Sequence, residues 1–160
     1  MTTDDDLTRA TRAVAGTGIP HRVIRTERPS SVEESAVLQG IEVSELVRTI
    51  VVRRGEDDYL FLLIPGGRQI DWPKLRAHLG VKRLSLPDAD EALETTGYER
   101  GAITPFGAKT PWPVIADEAV ENLERVGIGG GARGVNLHLA ARDLLDQTGA
   151  VVADIARPAD

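Results

Sequence analysis

The sequence predicts a mixed α/β fold: a curved, partly closed mixed β-sheet with short helices packed around it. Three observations carry that reading. YLFLLIP, residues 59–65, is a near-continuous apolar run, which suits a central strand covered on both faces. VGIGGGARGVNLHLA, residues 126–140, reads as strand, glycine turn, strand. Short capped helical segments fall between the strands, in an order that is neither a regular βαβ repeat nor a helical bundle.

The elements follow in chain order. Leu7 to Val14 reads as a short helix stopped by Gly16 and Gly18. HRVIR, His21 to Arg25, reads as a strand. In SVEESAVLQG, Ser31 caps a helix, Glu34 reaches back to complete a capping box, and Gly40 ends it. Leu46 to Arg54 is β-branched and strand-like, and GEDD turns the chain into Tyr59 to Pro65. A Gly-Gly turn leads to RQI, which predicts a three-strand meander. Asp71 caps WPKLRAHL, with Pro73 in the first turn and Gly80 as the stop. VKRLSL has the pattern of a further strand. PDADEALETTG reads as a helix with acids in its first turn, favourable for the helix dipole. PVIAD is a strand, EAVENLERV a helix, ARDLLDQTG a helix and AVVADI a last strand. In GVNLHLA, Val135, Leu137 and Leu139 share one face, and Asn136 and His138 the other.

Length and composition bound the function. The 160 residues suit one domain spanning 1–160, with 41% hydrophobic and 28% charged residues, as in a soluble globular protein. No apolar run approaches the ~18 residues of a membrane span. The acidic start MTTDDDLTRA does not read as a signal peptide, so a cytoplasmic location is expected. The absence of cysteine excludes disulfides, thiolate zinc sites and a cysteine nucleophile.

Net charge is −6, unevenly spread. Residues 46–83 carry 8 basic and 4 acidic side chains, whereas 1–45 carry 5 and 8, and 84–160 carry 6 and 13. The middle segment is either a set of solvated faces or a local landing surface for a polyanion.

Recognised catalytic motifs are missing. There is no G-x-S-x-G elbow and no H-E-x-x-H, and His21, His78 and His138 lie far apart in sequence. His21 and His78 read as structural or exposed; His138 lies beside Asn136 near the glycine turn and is a candidate pocket residue. GIGGGARG contains G-x-G but precedes a strand where a dinucleotide fold needs a helix. It is either a tight hairpin turn or a place where backbone N–H groups approach a ligand. GYERGAITPFG, residues 97–107, is too rich in breakers for a regular element and too apolar for a solvated loop. Gly101 permits unusual backbone angles, and Pro105 stiffens the loop and biases Thr104 towards an extended shape. It reads either as a structural connection or as a rigid loop whose amides hold a carbonyl or oxyanion.

VRTIVVRR, YLFLLIPGGRQID, TGYERGAITPFG and GIGGGARGVNLHL together resemble the YbaK/prolyl-tRNA-synthetase-associated editing domains. The resemblance runs from about Ile19 to Ile155, and its strongest element is G-x-x-x-P at Gly101–Pro105. It implies a YbaK-like curved α/β fold and a hydrolase that deacylates mischarged aminoacyl-tRNA. It also implies no metal and no cofactor; water, a ribose hydroxyl or the substrate's own side chain attacks the ester. The family's V-K-T-L lysine corresponds to Arg48, the serine that often opens its glycine turn to Gly129, and a polar residue, often aspartate, to Asn136. By this resemblance Arg48, Gly101, Thr104 and Pro105 are the expected catalytic residues. Thr49, Phe106, Gly107, Gly129, Gly130, Gly131, Asn136 and His138 are the expected substrate contacts. The implied substrate is a mischarged aminoacyl-tRNA, with cysteine or alanine on proline tRNA as candidates. The implied partner is prolyl-tRNA synthetase or another translation protein. The departures at Arg48, Gly129 and Asn136 keep a second reading open, a module that binds without hydrolysing, and a small-molecule esterase is a third.

Overall fold

Strand β3 (Asp58–Pro65) organises the molecule. In the computed structural model, which describes residues 8–159, β3 pairs antiparallel with β2 (Val47–Gly55) and parallel with β5 (Val114–Asp117). Strand β8 (Val151–Ala153) adds parallel to β5, giving the order β2-β3-β5-β8. The alternating side chains of β3 enter two different cores. Tyr59, Phe61 and Leu63 pack into the larger one, Leu60, Leu62 and Ile64 into the smaller. Full burial of each such side chain stabilises the fold by roughly 1.5–3 kcal/mol. This is why the segment needs no polar alternation.

A second, antiparallel sheet has the order β1-β7-β6, from His21–Arg25, Val135–Ala140 and Arg125–Gly129. It meets the first sheet at a parallel bridge between Leu46 and Gly127. The seam between the sheets places the site described below. The sheets curve together without closing into a barrel.

The helices are short, and all but α5 end on a glycine. They are α1 (Arg9–Thr17), α2 (Val32–Gln39), α3 (Trp72–Leu79), α4 (Ala89–Thr96), the single turn α5 (Glu118–Glu121) and α6 (Ala141–Thr148). Ser31, Asp71 and Asp88 cap three of them through their side chains. Among the described residues, no helix is long and apolar enough to cross a membrane.

Several sequence expectations change. Leu7 lies outside the described residues, and Gly16 sits inside α1, which is stopped by Gly18 alone. Glu34 accepts from the Ser30 amide at 3.0 Å rather than closing a box on Ser31. RQI forms β4 (Arg68–Ile70), but its ladder partner is β9 (Ala156–Pro158), so the meander is not formed. VKRLSL makes only a bridge from Ser85 to Arg53. EAVENLERV yields one helical turn, because Arg125 onward is drawn into pairing with β7.

The junction of β4, β5 and β9 is held by Asp117. This carboxylate is fully buried, accepts from the amides of Ala119 and Ile155 at 3.1 and 3.2 Å, and lies 3.3 Å from Arg68 Nε.

Candidate functional site

A cavity of about 430 Å³ opens at the seam of the two larger sheets. Its walls come from β2, the end of β6, the start of β7, helix α2 and the 97–107 loop, and that volume lies within the ~300–1,000 Å³ typical of small-ligand pockets.

Arg48 and Thr49 bring β2 to the cavity. Arg48 Nη2 donates to the Arg68 carbonyl at 2.8 Å, which fixes the guanidinium across the edge of the sheet. Partial burial lowers its pKa from the usual arginine value, but arginine stays charged at neutral pH. Arg100, from the loop, lines the same cavity and donates to the Pro87 carbonyl. Among the described residues neither arginine has a carboxylate partner. Two cations facing one cavity without counter-charges favour an anionic ligand. The Thr49 hydroxyl is buried and has no hydrogen-bond partner among the described residues.

The 97–107 loop is rigid for identifiable reasons. Tyr98, Ile103 and Phe106 are buried in the larger core, and the Tyr98 hydroxyl donates to the Phe106 carbonyl at 2.7 Å. The loop is apolar because it is packed. Ala102 N donates to the Glu99 carbonyl at 3.0 Å, closing a turn whose third residue, Gly101, has φ +89°. That position demands glycine, since other residues are strained at positive φ. Gly101 is exposed at the cavity wall, and a Cβ there would meet open space. The amides of Gly101, Ile103 and Thr104 have no hydrogen-bond partner among the described residues.

The loop docks on the glycine hairpin. Gly131 N donates to the Ala102 carbonyl at 3.2 Å. At Gly129 a Cβ would stand 3.0 Å from the Ile103 carbonyl oxygen, so glycine there lets strand and loop approach. Asn136 faces the cavity from β7, with Nδ2 donating weakly to the Ile24 carbonyl at 3.4 Å and Oδ1 unused among the described residues.

The structure thus brings Arg48, Thr49, Gly101, Gly129 and Asn136 together from four separate stretches of chain. The other expected residues stand behind the wall. Thr104 is fully buried, Phe106 belongs to the core, and Pro105 does not line the cavity. A Cβ at Gly107 would strike the Arg9 carbonyl oxygen at 2.7 Å, one at Gly130 would strike Val135, and one at Gly131 would crowd Tyr98 and Ala10. These glycines serve close packing of the hairpin and α1. His138 is buried and bonded to Gln39. Sequence reasoning missed Ser35 and Arg100, which also line the cavity. Ser35 carried no signal in the sequence; only the structure shows that it shares a helix face with Gln39, four residues on, which is buried although polar.

Half of the basic side chains of the middle segment are paired with carboxylates. Arg53, Arg54, Arg68 and Lys74 pair with Glu91, Asp58, Asp117 and Asp154 at 3.6, 3.0, 3.3 and 2.9 Å. Among the described residues there is no cluster of three or more histidine, aspartate or glutamate residues suited to a metal.

Fold and cavity together define an α/β protein with an anion-favouring cleft between two sheets, walled on one side by a stiff main-chain loop. The chain belongs to the aminoacyl-tRNA editing domain family, whose sequence profile matches residues 26–147. It is 28% identical to a candidate Cys-tRNA(Pro)/Cys-tRNA(Cys) deacylase, EbsC, of Enterococcus faecalis, over 92% of each chain. It is 29% identical to the proline–tRNA ligase of Thermosipho melanesiensis over 68% of this chain, but spans only 19% of that ligase. Among solved structures, a candidate trans-editing enzyme for prolyl tRNA synthetase superposes with a TM-score of 0.84 at 28% identity, covering 93% of this chain and 95% of the other. Aminoacyl-tRNA editing, in general terms a deacylase activity in translation, is the function of the family.

Proposed function

We propose that this chain is a trans-editing deacylase that hydrolyses the ester between a wrong amino acid and the terminal ribose of tRNA. Cysteine or alanine on proline tRNA is the substrate to try first, because the relatives named above act on or with proline tRNA by their names. The observation that carries the reading is one cavity uniting two arginines without counter-charges and a loop with unpaired amides. Prolyl-tRNA synthetase, or another translation protein, would hold the rest of the tRNA.

In this reading Arg48 and Arg100 hold the phosphates of the single-stranded acceptor end. The loop amides beside Gly101 donate to the ester carbonyl oxygen and to the oxyanion that develops on it. Asn136 Oδ1 accepts from the substrate ammonium. Water attacks the carbonyl carbon, the bond to the ribose oxygen breaks, that oxygen takes a proton, and the amino acid leaves as its carboxylate. Amino acids are discriminated by exclusion at a rigid wall, since one methylene is worth only about 1–3 kcal/mol in a pocket.

A panel of aminoacyl-tRNAs, including cysteinyl- and alanyl-tRNA for proline, tests the proposal through the release of amino acid. The binding-only alternative draws on Arg48, whose guanidinium is fixed on the Arg68 carbonyl and cannot act as a neutral amine. Retention of aminoacyl-tRNA without release anywhere in the panel would establish it instead.

A further inference from the structure

His138 lies behind the cavity, yet it is wired to the wall. Its Nε2 stands 2.9 Å from Gln39 Oε1, and Gln39 Nε2 donates to Ser35 Oγ at 2.9 Å. Gln39 and His138 are only 7% and 9% exposed, while Ser35 lines the cavity. Glycine at 127 makes room for the pair: a Cβ there would sit 3.0 Å from Gln39 Oε1 and 3.2 Å from His138 Cδ2.

This chain of hydrogen bonds has a direction. An amide oxygen only accepts, so His138 Nε2 carries the proton. An amide nitrogen only donates, so Ser35 Oγ accepts. The hydroxyl proton of Ser35 is then left over, and no acceptor takes it among the described residues. The opposite imidazole tautomer would turn the Gln39 amide round and consume that proton. The buried imidazole is also held neutral. Burial first, then the charges of Arg22 on β1 and Arg125 on β6, push its pKa down, against a smaller opposing effect of Glu45.

We infer that Ser35 is a substrate contact whose hydroxyl donates to an ester or ribose oxygen of the bound aminoacyl-adenosine end, with Gln39 and His138 as positioning residues that hold it as a donor. This rests on the proposed deacylase reading of the cavity.

The test has two arms on the full chain. Long-range proton–nitrogen NMR of the imidazole at neutral pH is expected to show the Nε2–H tautomer at His138; the Nδ1–H tautomer would overturn the inference whatever the activity. Steady-state deacylation of cysteinyl- and alanyl-tRNA for proline is then compared for Ser35→Ala, Gln39→Leu and the double variant. Alanine raises helix propensity at position 35, so Ser35→Ala stays folded. Each single change is expected to lower kcat/KM about 10-fold, the double change no further, and Ser35→Thr to restore most of the loss. Additive losses, as from two independent structural effects, or an unaffected Ser35→Ala variant, would overturn the inference. An inert wild-type chain overturns the deacylase reading and the Ser35 contact together, and the tautomer then shows whether the hydrogen-bond chain itself stands.

Discussion

Two places in this molecule use arginine in opposite ways. At the β4–β5–β9 junction, Arg68 meets a carboxylate with no solvent exposure, and Asp117 has further acceptor bonds to two amides. At the cavity, Arg48 and Arg100 hydrogen-bond only to backbone carbonyls among the described residues, and their charge is left for a ligand. A buried charge must be paired to be tolerated, whereas a charge at a binding site must be left open to be useful. The number of basic residues in a segment therefore says little: residues 46–83 hold 8, and four of them are spent on ion pairs within the fold.

The sharpest way to break this contrast is at the closed junction. Asp117→Ala removes three interactions at once and leaves the half-buried Ala119 amide and the buried Ile155 amide without this acceptor. A loss of about 3 kcal/mol is expected, at the lower end for buried pairs because Arg68 keeps some solvent contact. Urea unfolding measures it, and a loss under 1 kcal/mol would mean that the junction is not closed.

The open site should respond the other way. Gly101→Val places a branched side chain at φ +89° on the cavity wall, where no described residue other than its chain neighbours comes within 4 Å of the added Cβ. Backbone strain costs about 1–3 kcal/mol, but kcat/KM should fall about 100-fold if the loop receives the oxyanion. A folded variant with normal deacylation would remove the loop from the site.

A smaller effect separates the two arginine uses directly. Arg48→Gln and Arg100→Gln should each flatten the dependence of log affinity for tRNA on log salt by about 0.7, as for single-strand phosphate contacts. Arg54→Gln, at a half-buried pair with Asp58, should leave that slope unchanged. Equal effects at all three would show a diffuse surface field in place of a site.

The same contrast explains what could be read from sequence. β3 was legible because burial on both faces leaves an uninterrupted apolar run. The stops at Gly18, Gly40, Gly80 and Gly97 were legible because each takes the left-handed conformation that glycine favours. The partner of β4 was not, because a three-residue strand carries no mark of the segment 88 residues away that completes its ladder. At the site, Arg48, Gly101, Gly129 and Asn136 stood out through the family's motif. Ser35 did not, because a serine within a helix looks the same whether it faces solvent or a cavity. Gly107, Gly130 and Gly131 show the reverse: a conspicuous glycine marks close approach, and what approaches here is the chain itself.

The weakest effect tests the buried polar interior behind the open wall. His138 has a pKa below that of an ordinary histidine, chiefly through burial, so the unfolded chain binds its proton at higher pH than the folded chain does. The unfolded state therefore holds more protons once the pH falls below about 6.5, the ordinary histidine value. Stability from this residue is complete above that pH and is lost as the pH drops towards the lowered folded value. Urea midpoints measured downward from pH 7.5 should decline for the wild type and decline less steeply for His138→Asn. Parallel curves would mean that the imidazole takes up its proton without penalty, as an open cavity residue would, and that it does not belong to the closed interior.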